Sequence, residues 1–158
     1  MRIIVLSDTH GDRRALEKII ERSLSADLFI HLGDGERELD EIVLRYPRLD
    51  IRPVAGNCDC ASLSPSVRVI GAGDHKIIAT HGHRHGVKSS LEPLRALALQ
   101  NGADIVLFGH THVRHRSFED GLHFLNPGSA SRPRDGKKPS YGFIDITEAG
   151  VVTQIVEL

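Results

Sequence analysis

Only two cysteines occur, Cys58 and Cys60, and a single residue separates them. Such a pair cannot staple a fold, which excludes a disulfide framework, and its spacing is not the two-residue gap of common redox and zinc motifs. Long hydrophobic runs are missing too. After Met1 and Arg2 the chain enters IIVL and meets Ser7-Asp8 four residues later. That run is too short for the apolar region of a signal peptide or for a bilayer span, so a cytoplasmic location is expected. Charge of one sign is likewise absent. Lys and Arg number 20 against 21 acids, a net charge of −1, which leaves no overall basic excess for nucleic acid or an anionic membrane. No low-complexity stretch, repeat or linker composition divides the 158 residues, and the length suits one core, so a single domain over 1–158 is expected.

What is abundant is histidine, with ten copies. Their placement follows the strand pattern. RIIVL (2–6), DLFIHL (27–32), DIRPV (50–54), HKIIAT (75–80) and DIVLF (104–108) are short apolar runs rich in β-branched residues, each closed by a small or polar cluster, as buried strands read. Helix-period stretches lie between them: Ala15, Leu16, Ile19, Ile20 and Leu24; then Leu39, Ile42, Val43 and Tyr46; then Leu91, Leu94, Leu97 and Ala98. Alternating strands and helices predict βαβ crossovers and a largely parallel sheet. Gly71-Ala72-Gly73-Asp74 reads as a hairpin turn. Beyond Val113, VRHRSF, LHFLN, YGFIDI and VVTQIVEL are separated by turn signals, including Asp120-Gly121 and Ala149-Gly150, so this part is expected to be antiparallel. The fold class is α/β.

Residues able to bind a metal follow the ends of those runs: Asp8 and His10 in SDTHG, Asp34 in GDGE, Asn57 in GNCD, His81 in HGH, His110 and His112 in GHTH. The carboxyl edge of an open α/β sheet is where sites form. Two carboxylates, an amide and four imidazoles suit Mn²⁺, Fe, Zn²⁺ or Ni²⁺ better than Ca²⁺. Seven ligands exceed the need of one ion and fit a pair sharing a carboxylate. Such a pair makes hydroxide available near neutral pH and offsets charge on a phosphoryl group, which points to phosphoester hydrolysis. Gly33, Gly56 and Gly109 each precede a ligand, where a missing Cβ lets the backbone come close. On an extended segment His110 and His112 would point the same way.

Each residue alone also has a plain structural reading. Asp8 or Asp34 could cap a helix, Asn57 and Asp59 could form turns, and the histidines could be satisfied in loops. His31, His75, His85, His115 and His123 are read as structural or exposed, Arg132 and Arg134 as surface-loop residues in preference to contacts for a substrate phosphate, and DRRALEKIIER (12–22) as an outward helix face.

The ordered blocks SDTHG, GDGE, GNCD, HGH and GHTH resemble the calcineurin-like metallophosphoesterases, whose signature is D-x-H, G-D, G-N-H-[DE], a lone His, and G-H-x-H. LNPGSASRPRDG (125–136) and SYGFIDI resemble the small, single-domain YfcE-like phosphodiesterase branch. The resemblance implies a four-layer αββα sandwich of two mixed β-sheets flanked by helices. It also implies two divalent ions, manganese first with nickel, zinc or iron as alternatives. Asp8, His10 and His112 would hold one, Asn57, His81 and His110 the other, and Asp34 would bridge them. A metal-bridging hydroxide would attack phosphorus while Asn57 and His81 help to hold its oxygens. Cys58 stands where the family carries a histidine that serves the transition state or the leaving oxygen. Asp59 follows it as the acid that would orient that residue, and His83 is a candidate substrate contact. A neutral thiol replaces a proton donor poorly, so a phosphodiesterase acting on a small substrate is expected. A phosphomonoesterase or nucleotide pyrophosphatase on the same site, or a non-catalytic scaffold of this fold, are the alternatives; a homo-oligomer is compatible with all three.

Overall fold

The computed structural model describes residues 1–158. In chain order the elements are β1 (Arg2–Leu6), α1 (Arg13–Arg22), β2 (Leu28–His31), α2 (Glu36–Arg45), β3 (Ile51–Pro53), β4 (Val67–Ala72), β5 (His75–Thr80), α3 (Glu92–Asn101), β6 (Ile105–Leu107), β7 (His115–Glu119), β8 (Leu122–Asn126), β9 (Ser140–Thr147) and β10 (Gly150–Glu157). They make two five-stranded sheets, ordered β10-β9-β1-β2-β3 and β4-β5-β6-β8-β7. In the first sheet β1-β2-β3 run parallel out to the edge and β9 and β10 add antiparallel on the other side; in the second β5-β6-β8 run parallel between antiparallel β4 and β7.

The apolar runs are continuous because every central strand is buried on both faces. Ile3 and Val5 of β1 turn inward with Leu28, Ile30, Ile77, Ala79, Ile105 and Leu107, filling the space between the sheets. Ile4 and Leu6 turn outward beneath Leu16, Ile19 and Ile20 of α1 and Leu39 and Ile42 of α2. On the far side Ile78, Val106 and Phe124 carry Leu94 and Ala98 of α3. These three layers of contact are the interfaces of an αββα sandwich. Each such aliphatic side chain contributes about 1.5–3 kcal/mol when fully buried.

The strands and helices depart from their sequence periodicity in three places. The single, largely parallel sheet is two mixed sheets, because periodicity reports burial and not which strands pair. The antiparallel tail divides: β7 and β8 join one sheet, where β8 also runs parallel to β6, while β9 and β10 join the other. Leu24 lies beyond the end of α1 and is exposed, and Val43 faces water while Glu38 takes the inner position on α2. The Asp120-Gly121 turn is as expected, with φ of 51° and 79° suited to a two-residue hairpin loop.

Candidate metal centre

Because β1, β2, β3, β5 and β6 run in one direction within their sheets, the loops after them meet at a shared rim. Main-chain hydrogen bonds tie those loops together: Asp8 N donates to Gly33 O (3.0 Å), His10 N to Asp34 O (2.9 Å) and Gly109 N to His81 O (3.1 Å). Close approach is what the glycines permit. A Cβ on Gly56 would sit 2.0 Å from Asp34 Oδ1, and one on Gly109 would sit 2.0 Å from Ser7 Oγ.

Of seven non-glycine residues with positive φ, five are expected ligands: Asp8 (56°), His10 (43°), Asp34 (59°), His110 (67°) and His112 (59°). Left-handed backbone costs such residues roughly 1–3 kcal/mol each and persists where surrounding structure enforces it, most often at functional sites. The conformation also corrects an expectation. His110 and His112 do not lie on an extended segment, since β6 ends at Leu107 and the chain bends at His110 and Thr111. They fan apart instead. His112 Nε2 reaches within 3.1 Å of Asp8 Oδ1 and of His10 Nε2, while the His110 ring centroid lies 5.1 Å from that of His81.

Three sets have ligand atoms mutually within 4.8 Å: Asp8, His10 and His112; Asp8, Asp34 and His81; and His10, Asp34 and Cys58. Asp34 Oδ2 stands 3.8 Å from His10 Nε2 and 3.5 Å from His81 Nε2, between the two imidazoles. Asn57 joins through Oδ1, 3.1 Å from His81 Nε2. His110 belongs to none of the three sets and stands at their edge, its main-chain N donating to Asp8 Oδ2 (3.1 Å).

The chemistry of this arrangement calls for a cation. Asp8 Oδ1 is fully buried and has no hydrogen-bond partner, although an unpaired buried carboxylate oxygen is costly. His81 and His112 are held with Nδ1 against the carbonyls of Leu32 and Arg132, both at 2.7 Å. Nδ1 therefore carries the proton, and in the neutral ring the Nε2 lone pair faces the centre. Burial alone would raise Asp34, but the His81 imidazole and the Cys58 amide (2.7 Å to Oδ1) hold it well below the usual carboxylate range. Burial is likewise outweighed at Asp8, which His112, His81 and Ser7 lower. His112 is raised by the Asp8 carboxylate 3.1 Å from its Nε2, and His81 is raised against burial by Asp34 and Asp8. His110 is pushed down to about 4 by burial, His81 and Lys88, and is neutral at pH 7.

The remaining site candidates divide by role. Cys58 is exposed, and desolvation together with the neighbouring carboxylate of Asp34 pushes its thiol up to about 11. His83 sits in the short 3-10 turn His83–His85, its ring 5.3 Å from that of His81 and its Nδ1 buried without a partner. Asp59 accepts four main-chain hydrogen bonds: Oδ2 from Asp34 N (2.7 Å) and Gly56 N (2.8 Å), Oδ1 from Gly35 N (2.9 Å) and Glu36 N (3.0 Å). It is the cap of α2. Neither Asp8 nor Asp34 caps a helix; Asp12 caps α1 through Ala15 N.

Several supporting residues lie outside the five metal-binding blocks, three of them in the LNPGSASRPRDG segment. Ser129 and Ser131 donate hydroxyls to the main-chain oxygen of Asp8 (2.7 and 3.0 Å), and Asn126 donates to Gly109 O (3.0 Å). Beneath Asp8 and His10 runs a buried chain. Gly33 N donates to His31 Nδ1, so Nε2 carries the hydrogen and donates to Thr9 Oγ1, which donates to Glu38 Oε1 (2.6 Å). The apolar periodicity of Leu39, Ile42, Val43 and Tyr46 gives no sign of it, since only the packing turns Glu38 inward on α2.

A family model described as "Calcineurin-like phosphoesterase superfamily domain" matches residues 1–149. Probable metallophosphoesterase YsnB of Bacillus subtilis (strain 168) is 36% identical over 148 residues, covering 92% of this chain and 85% of its own. Phosphodiesterase YfcE of Escherichia coli (strain K12) is 28% identical over 90% of this chain and 71% of its own. Vacuolar protein sorting-associated protein 29 of Schizosaccharomyces pombe (strain 972) is 35% identical over 100% of this chain and 91% of its own. The crystal structure of a protein described as a predicted phosphoesterase, from Streptococcus pneumoniae TIGR4, superposes with a TM-score of 0.87 at 34% identity, covering 99% of this chain and 88% of that one.

Proposed function

The chain belongs to the calcineurin-like phosphoesterase superfamily, and from that premise we propose that it is a dinuclear metal-dependent phosphodiesterase acting on a small phosphoester. Asp8, His10 and His112 would hold one divalent ion, Asn57, His81 and His110 the other, and Asp34, whose Oδ2 stands between the His10 and His81 imidazoles, would serve both. The observation that carries this reading is the unpartnered buried Asp8 Oδ1, faced by the Nε2 atoms of His112, His10 and His81 at 3.1, 3.8 and 4.0 Å. When bound, two such ions would acidify water and supply positive charge against the phosphoryl oxygens. Everything else falls to the chain itself. Asp8 and Asp34 stay ionised, and the carbonyls of Leu32 and Arg132 fix the imidazole orientations.

Cys58 sets the preference between esters. Its thiol is protonated at neutral pH and carries no positive charge, so it gives little to a leaving alkoxide. Diesters with acidic leaving groups need no such donor; alkyl monoesters do. The name of the Escherichia coli relative accords with this preference.

Chelation should abolish hydrolysis of bis(p-nitrophenyl) phosphate, and readdition of Mn²⁺ should restore it better than Ni²⁺ or Zn²⁺. Rates indifferent to chelation would remove the metal reading, and faster turnover of monoesters than diesters would replace the diesterase with a monoesterase. Cys58→His should raise the monoester-to-diester ratio of kcat/KM by roughly tenfold, a fraction of what a positioned general acid contributes. An unchanged ratio would show that position 58 does not govern protonation of the leaving group.

A further inference from the structure

Two cavities of about 340 and 530 Å³ open beside the metal centre and share His10, Gly11 and Arg132 in their walls. They form one groove. At its inner end are Asp34, Cys58 and Asp59; at its outer end are Arg13, Arg14 and Ser131, and no hydrophobic side chain lines that outer part. The carboxylates along it already hold donors. Asp12 accepts from Ala15 N, Glu38 from Thr9 Oγ1 and Gly11 N, Glu36 from the hydroxyls of Ser62 and Ser64, and Asp59 from its four amides.

The guanidiniums differ. Arg2, Arg45, Arg52, Arg95 and Arg114 are each paired with acids elsewhere on the surface, and Arg13 is paired with Glu41. Arg14, Arg37 and Arg132 make no ion pair and no side-chain hydrogen bond; Arg22, Arg48, Arg84 and Arg134 are equally free elsewhere on the surface, and what sets the first three apart is that they line the cavities beside the metal centre. Arg132 lies beside His10 in the walls of both cavities. The basic excess is confined to the outer cavity, where Arg13, Arg14 and Arg132 face Asp12 alone, while the acids gather at the inner, metal-binding end. An unpaired guanidinium offers a planar fork of donors that matches phosphate, and a cavity of this size admits a phosphoryl group with several carbons attached.

We infer that the groove is an anion subsite, so that the substrate class is a phosphodiester bearing a second phosphoryl group on the ester arm directed toward Arg14 and Arg132. This rests on the phosphodiesterase reading above. The two are separated by a matched pair of probes, p-nitrophenyl propyl phosphate and p-nitrophenyl 3-phosphonopropyl phosphate, which share the scissile bond and differ only in the distal anion. The Mn²⁺-loaded enzyme should favour the phosphonate probe by about tenfold in kcat/KM, mainly through KM, as charge-assisted hydrogen bonds would provide. In Arg14→Ala/Arg132→Ala the ratio of the two kcat/KM values should fall to near one. Equal kcat/KM on both probes in the unmodified enzyme, or a preference that survives the double substitution, would overturn the subsite alone. Failure to turn over either probe would remove the phosphodiesterase reading and the subsite with it.

Discussion

Asp34→Asn should lower kcat/KM for a phosphodiester on the order of 10³-fold while the chain stays folded, since the charge stabilisation lost is several kcal/mol and each 1.36 kcal/mol is a factor of ten. The substitution isolates charge from shape. Asn retains an Oδ1 that accepts the Cys58 amide, which now donates to Asp34 Oδ1 at 2.7 Å, so the loop keeps its fastening. What disappears is the negative oxygen lying between His10 and His81. Metal content of the purified variant, set beside its rate on bis(p-nitrophenyl) phosphate, reads the effect. A variant that keeps both ions and most of its rate would remove Asp34 from the bridging position and require Asp8, whose Oδ1 also faces both sides, to take it.

Asp59→Ala should act through the fold and be the most destabilising single change at this rim. One carboxylate satisfies the amides of Asp34, Gly35, Glu36 and Gly56, closing the N-terminus of α2 and clamping the β3 loop to the β2 loop. Loss of four charge-assisted bonds, some of them re-made to water, should cost about 3–4 kcal/mol. At roughly 2–4 °C per kcal/mol for a chain of this size, the melting midpoint should fall by about 10 °C. Asp59→Asn, with one accepting oxygen in place of two and no charge, should fall about half as far. Calorimetry on metal-free protein separates this from any catalytic part: a carboxylate that served only to orient residue 58 would leave the midpoint unchanged.

The consequence for family reasoning is specific. Read by resemblance, Asp59 follows the residue it orients; in the structure it is the cap of a helix that begins 23 residues before it. No local pattern around Gly35 reveals that cap, because the residue at the N-cap is a glycine whose missing side chain is replaced from a distant loop. The groove at Arg14, Arg37 and Arg132 was hidden in the same way. Arg132 stands out in its own segment as a loop charge behind a Pro-Gly turn, but Arg14 and Arg37 look like ordinary surface charges, and only the meeting of three segments brings them to the same cavities.

By itself, the order of residues determined which strands are buried, since their runs are apolar on both faces, and where metal-binding side chains can occur, since each follows the end of such a run. It also determined the substitution at Cys58 and the family to which the blocks belong. Tertiary structure alone decided that the strands divide into two sheets, that His110 and His112 turn apart on left-handed backbone, and that Asp8 Oδ1 is left facing three imidazoles. Periodicity is a property of neighbours along the chain and records burial. Pairing, strain and unmet hydrogen bonds arise between segments as far apart as Asp8 and Ser129, and exist only once those segments pack.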